Sequence, residues 1–98
     1  MATTTDTSRG YTSTKEQLQK RLKRVEGQVR GVEKMVDEDR YCIDVLTQIS
    51  AIQAALDKVA LGLLDDHVKH CVIEGHAPGT PEERTDEVMD AIGRLLRR

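Results

Sequence analysis

The sequence predicts an all-α fold, and three observations carry that prediction. Apolar residues recur at steps of three and four along most of the chain, the spacing of one helix face. No stretch carries the signals of a strand, and there are no internal repeats. The chain has 98 residues, no Trp or Phe, and only Tyr11 and Tyr41 as aromatics. Its apolar area must therefore come from Leu, Val, Ile, Ala and Met. A monomer this small buries a limited fraction of its surface, so the helices are expected to associate with other copies.

The opening stretch, MATTTDTSRGYT, is polar, Thr-rich and without periodicity. Residues 1–12 are expected to form a disordered tail and residues 13–98 a single helical domain. Ser13 with Glu16 three positions on has the pattern of a capping box that starts a first helix. Leu18, Leu22, Val25, Val29, Val32 and Val36 then form a seam of heptad type. Gly27 and Gly31 interrupt it at roughly 1 kcal/mol each relative to Ala, and close packing against another helix is the expected reason. The acidic break at DEDR ends the seam, with Asp39 expected to cap the next helix.

From Tyr41 to Val72 there is no Pro and no turn dipeptide. Ile43, Leu46, Ile49, Ile52, Leu56, Val59, Leu63 and Leu64 continue the apolar stripe through a single second helix. Its 32 or so residues would span roughly 48 Å. A compact domain of this size has a radius of gyration of about 13 Å. Such a helix overhangs its own globule and needs a partner chain along its stripe. EGHAPGTPEER reads as a loop, and Thr80, Pro81 and Glu83 as a capping box with Pro at the first helical position. A short third helix carries Val88, Met89, Ile92, Leu95 and Leu96.

Charge is nearly balanced overall, with 15 basic and 17 acidic residues, but it is segregated. From Lys15 to Arg30, the six basic residues Lys15, Lys20, Arg21, Lys23, Arg24 and Arg30 stand against only Glu16 and Glu26. From Met35 to His76 the balance reverses. The basic stretch can neutralise phosphates and so suits nucleic acid, although a run of charge is also what a solvated helix face looks like. No run approaches the roughly 20 apolar residues of a membrane span, and no signal-peptide pattern is present. A cytoplasmic protein with reduced thiols is expected, where cysteines tend to bind metals or react. No nucleophile–base–orienter set or phosphate loop appears, so an enzyme is not expected.

The two cysteines and one histidine fit together on a helix. His67 and Cys71 are spaced i,i+4, one turn apart on one face. Cys42 lies 25 positions before His67, nearly a whole number of turns, and so shares that face. Along a straight helix it is about 37 Å away. The three can meet if two copies of the helix run antiparallel, which places two identical sites about a twofold axis near Leu56. Two thiolates and an imidazole are a soft donor set, which favours Cu(I). A structural Zn site would want a fourth ligand, and a catalytic one would leave a position for water. His70, one residue off the face, and His76, in the loop, are weaker candidates.

RLKRVEGQVRGVEKMVDEDRYCIDVLTQISAIQAAL followed by HVKHC resembles the copper-sensing transcriptional repressors of the CsoR family. The likeness covers roughly residues 17–72 and continues more weakly through the third helix. It implies a dimer of antiparallel helical hairpins, a four-helix bundle, that pairs further into a homotetramer. It places the family's copper ligands on Cys42, His67 and Cys71. It implies that the apo protein binds operator DNA and that Cu(I) weakens that binding and derepresses copper-resistance genes. The family's first-helix basic residues point to Arg21, with Lys20, Lys23 and Arg24, as phosphate contacts, and Lys58 extends that surface onto the second helix. The family's Tyr beside the first Cys, and its Glu from the third helix, fall on Tyr41 and Glu87. There they would hold the free ring nitrogen of His67. Two other functions remain open: a thiol-based persulfide or oxidant sensor using Cys42 and Cys71, and a copper buffer with no DNA role.

Overall fold

The structure is a computed structural model that describes residues 14–75 and 78–97. All its regular elements are helical: α1 (Lys15–Asp37), α2 (Cys42–His67), a π-helical turn (Val68–Ile73) and α3 (Pro81–Leu96). The tail expected over 1–12, the cap expected at Ser13, and His76 lie outside the described residues. The chain divides into two compact units, one spanning Thr14–Gly62 and the other taking in Leu63–Arg98.

In the first unit α1 and α2 form a hairpin. The Leu18 methyl Cδ2, near the start of α1, stands 3.5 Å from the point a Cβ on Gly62 would occupy, far along α2. The two helices therefore run antiparallel. Heptad positions divide the seam of α1 in two: Leu18 and Val25 are buried, whereas Leu22, Val29 and Val36 are exposed. On α2 the same interval separates the buried Ile52 and Val59, while Ile49 and Leu56 are exposed on another row. Full burial of each such side chain stabilises by about 1.5–3 kcal/mol. So few buried residues make a thin core, and half of the apolar stripe on α1 and more than half of that on α2 are left on the surface.

The turn between the helices differs from the sequence-based expectation. Asp39 does not cap α2. It sits at φ 56, in the left-handed region, and terminates α1. The Asp39 and Arg40 N–H groups donate to the carbonyls of Val36 and Met35 at 3.1 and 2.9 Å. This is the αL ending that helices usually give to Gly and tolerate with Asp or Asn. The first bonds of α2 go instead to the carbonyl of Tyr41, from Asp44 and Val45. Thr14 precedes α1 without making a side-chain capping bond.

The single second helix is also modified. The α-helical pairing holds from Cys42 to His67 (26 residues, about 39 Å), then widens into the π-helical turn. The Glu74 N–H donates to the Lys69 carbonyl at 3.1 Å, an i→i+5 bond. Composition and periodicity do not distinguish the two kinds of pairing, so the change was not visible in the sequence. Gly75, at φ 73, ends the turn. The start of α3 agrees with expectation: the Thr80 hydroxyl accepts from the Glu83 N–H at 3.1 Å, and Glu83 accepts from the Thr80 N–H at 2.8 Å.

Candidate metal centre and basic face

Cys42 is the first residue of α2 and is exposed. It opens onto a shallow hollow at the hairpin end, floored by Val36, Val45 and Leu46 and edged by Asp39 and Arg40. Tyr41 beside it is 67% exposed. His67 is half-buried at the junction where α2 passes into the π-helical turn. Cys71, inside that turn, is 1% exposed. Both cysteines are thiols, outside any disulfide. One unbroken α-helix thus carries Cys42 at its first residue and His67 at its last. Among the described residues, no three His, Cys, Asp or Glu side chains of the single chain gather into a metal-holding group.

The second unit surrounds Cys71 with charge. Burial pushes the Cys71 thiol above its ordinary pKa, Glu87 pushes it further, and Arg84 pulls it back. Both charged side chains come from α3, which packs against the π-helical turn. Glu87 is thus close enough to Cys71 in the same chain to act on it. Arg84 escaped the sequence reading, because its role depends on how the loop before α3 folds back. Its guanidinium donates to the Gly79 carbonyl. Asp66, next to His67, was missed for a similar reason: it occupies a stripe position and is buried. His70 pairs with Glu74 at 3.0 Å on the outer side of the turn, and Lys69 with Asp65 at 3.0 Å. Exposed pairs of this kind contribute little.

All six basic residues singled out on α1 are exposed, as is Lys58 on α2. Helical spacing puts Lys20, Lys23, Arg24 and Arg30 on one face opposite the apolar seam. Lys15 and Arg21 flank the seam. Lys34, not singled out from the sequence, extends the basic face and lies 3.9 Å from Glu38. Gly27 and Gly31 fall within this face, and among the described residues nothing beyond the neighbouring backbone of α1 itself comes within 4 Å of a Cβ built on either. The close packing against another helix expected of them is therefore not found among the described residues.

A family model described as metal-sensitive transcriptional repressor matches residues 14–94. The copper-sensing transcriptional repressor RicR of Mycobacterium tuberculosis is 56% identical over 90 residues, covering 90% of this chain and 94% of that one. The crystal structure of the copper-sensing repressor CsoR with Cu(I) from Geobacillus thermodenitrificans superposes with a TM-score of 0.77. It is 50% identical and covers 88% of this chain and 90% of that one. The nickel-responsive transcriptional regulator InrS superposes with a TM-score of 0.68 at 43% identity, covering 81% of this chain and 89% of that one. The helical architecture, the span of the match and the level of identity agree: the chain belongs to the metal-sensitive transcriptional repressor family.

Proposed function

We propose that this chain is a Cu(I)-responsive repressor. The apo form binds operator DNA through the basic face of α1. Cu(I), bound between two chains by Cys42 of one and His67 with Cys71 of the other, weakens that binding and derepresses copper-resistance genes. The observation that carries this reading is the donor set itself. Two thiols and one imidazole lie along one helical run, with Cys42 and His67 at opposite ends of α2. Soft thiolates suit Cu(I), which accepts three ligands. The exposed stripe of Ile49 and Leu56 supports an antiparallel partner with its axis near Leu56. Pairing two hairpins makes a four-helix bundle, and two such dimers a tetramer. A repressor of this kind works in the cytoplasm, where its operator is. No helix among the described residues is long and apolar enough to cross a membrane.

Tyr41 and Glu87 complete the reading. A ligating His usually donates its second ring N–H to a neighbouring acceptor, which fixes the ring. Tyr41 and Glu87 serve that end at His67. Copper binding thereby draws on α3, and the π-helical turn that carries Cys71 transmits the change. A thiol-based sensor is disfavoured by His67, because thiol exchange between Cys42 and Cys71 needs no imidazole ligand.

The test is a mobility-shift titration on a duplex enriched from a random pool by the apo protein, with and without Cu(I). Couplings between two sites run at about 1–3 kcal/mol, so Cu(I) should weaken binding by about 5–150-fold. Failure to enrich any duplex would favour the copper buffer. Release by persulfide but not by Cu(I) would favour the thiol sensor.

A further inference from the structure

The seam along α2 that joins Cys42 to His67 contains a single polar residue between them. From Cys42, alternating steps of four and three lead through Leu46, Ile49, Gln53, Leu56, Ala60 and Leu63 to His67, an unbroken heptad pattern. The chain leaves this seam largely uncovered. Leu46, Ile49, Leu56 and Leu63 are exposed, as are Cys42 and Gln53, while Ala60 and His67 are half-buried. The buried Ile52 and Val59 lie on another row. A polar residue on a solvated helix face needs no explanation. Gln53, however, has exposed Ile49 and Leu56 as its neighbours one turn away along the seam.

Two antiparallel copies of this seam have one register that pairs it end to end. Cys42 then stands level with the partner's His67, Leu46 with the partner's Leu63, Ile49 with the partner's Ala60, and Gln53 with the partner's Leu56. The twofold axis passes between Gln53 and Leu56. The two Gln53 residues are then offset by three positions, about 4.5 Å along the helices. Packed helices lie about 8–10 Å apart, so the two amides can reach each other, and each both donates and accepts. A slip of one heptad either way moves Cys42 about 10 Å out of line with the partner's His67. One such slip also carries the two Gln53 about 15 Å apart and strands each amide, unpaired, in the apolar seam, which is costly. The other leaves Leu63 and His67 beyond the partner's seam. We propose that Gln53 meets its own copy across the twofold axis and sets the register that holds Cys42 level with the partner's His67. It is a positioning residue, acting on the metal site only through the pairing. The inference rests on the shared ligand set proposed above. A lone polar residue in a heptad seam commonly has this role, at some cost in stability.

A charge swap in the full chain tests the meeting at the axis. Gln53→Glu and Gln53→Lys each place like charges across it, whereas an equal mixture allows opposite charges to face each other. Association is measured by sedimentation and Cu(I) affinity by competition with a chromogenic chelator, with circular dichroism to follow folding. Each variant alone should associate about fivefold less tightly at low salt, and the mixture should recover both association and Cu(I) affinity. Gln53→Leu separates register from mere stability. It should associate more tightly yet bind Cu(I) more weakly, because slipped registers are no longer penalised and only one register is competent. A mixture no better than either charged variant overturns the proposal, as does association unchanged in both. Tighter Cu(I) binding by Gln53→Leu also overturns it, since Gln53 would then only weaken the pairing without choosing its register. An unmodified chain that binds no Cu(I) removes the ligand set itself, and the inference with it.

Discussion

Sharing of the copper site between chains can be tested by mixing two defective proteins. Cys42→Ala removes the ligand at the first residue of α2, and Cys71→Ala removes the one in the π-helical turn. Each protein alone should lose tight Cu(I) binding. In a mixed dimer, one of the two sites lacks both thiols and is dead. The other takes Cys42 from the Cys71→Ala chain and His67 with Cys71 from the Cys42→Ala chain, and is intact. A site is whole only if each of its two contributing chains is of the right kind. Random mixing of equal amounts therefore restores about one quarter of the unmodified capacity, in dimers and tetramers alike.

The assay is refolding or co-expression of equal amounts of the two proteins, then Cu(I) titration against a chromogenic chelator. The geometry makes the expected result sharp. Cys42 and His67 are separated by the length of α2, about 37 Å along a straight helix. Metal–sulfur bonds are only about 2.3 Å long. A chain that completed the site by itself would have to break α2. Two proteins each lacking one ligand would then gain nothing from mixing. Zero restored capacity would refute the shared site, and so would a single-variant protein that still binds Cu(I) tightly.

Four further outcomes are expected. Arg21→Ala should weaken operator binding and lower the slope of log K against log salt by about 0.9, with Cu(I) affinity little changed; an unchanged slope and affinity would move the DNA surface elsewhere on the chain. Tyr41→Phe and Glu87→Ala should each bind Cu(I) and apo-state DNA almost normally yet release DNA poorly when copper is added; normal release by both in the mobility-shift assay would confine the switch to the three ligands. Asp39→Gly should relieve the left-handed strain at φ 56 and stabilise by about 0.5 kcal/mol after the entropy of the unfolded chain is deducted, a rise of about 2–4 °C in Tm by calorimetry. Because the folded-state pKa of Cys71 is raised, the unfolded chain ionises there first; the Tm of the apo protein should fall as pH rises past about 8.5, and Cys71→Ala should abolish that Cys71-dependent part of the fall.

The range of each interaction decided whether the sequence revealed it. Local patterns were legible. The capping box at Thr80 and Glu83 and the apolar steps of α1 and α2 depend on neighbours three or four positions apart. The spacing of His67 and Cys71 is local in the same sense. The turn at Asp39 was misread because an Asp between two helices serves equally as a cap for the second and as a left-handed ending for the first. Only the direction of the N–H bonds to Met35 and Val36 decides between them. The π-helical turn leaves no mark on composition or periodicity. Arg84 was out of reach because its position depends on a loop closing over glycines at positive φ.

The limited reach of a single hairpin also supports the proposal that this chain pairs with a second copy. Its buried apolar set in the first unit amounts to Leu18, Val25, Ile52 and Val59. Leu46, which could have joined them, is 56% exposed, and Leu22, Val29 and Leu56 are more than two-fifths exposed. Heptad periodicity makes two rows on each helix, and a two-helix hairpin can cover only one of them. The uncovered row on α2 lies on the helix that carries Cys42 and His67. An association that buries that row in an antiparallel pair brings Cys42 towards the partner's metal-binding end. In the proposed pairing, hydrophobic burial and ligand assembly would become one event, and copper would stabilise the association that buries the apolar row.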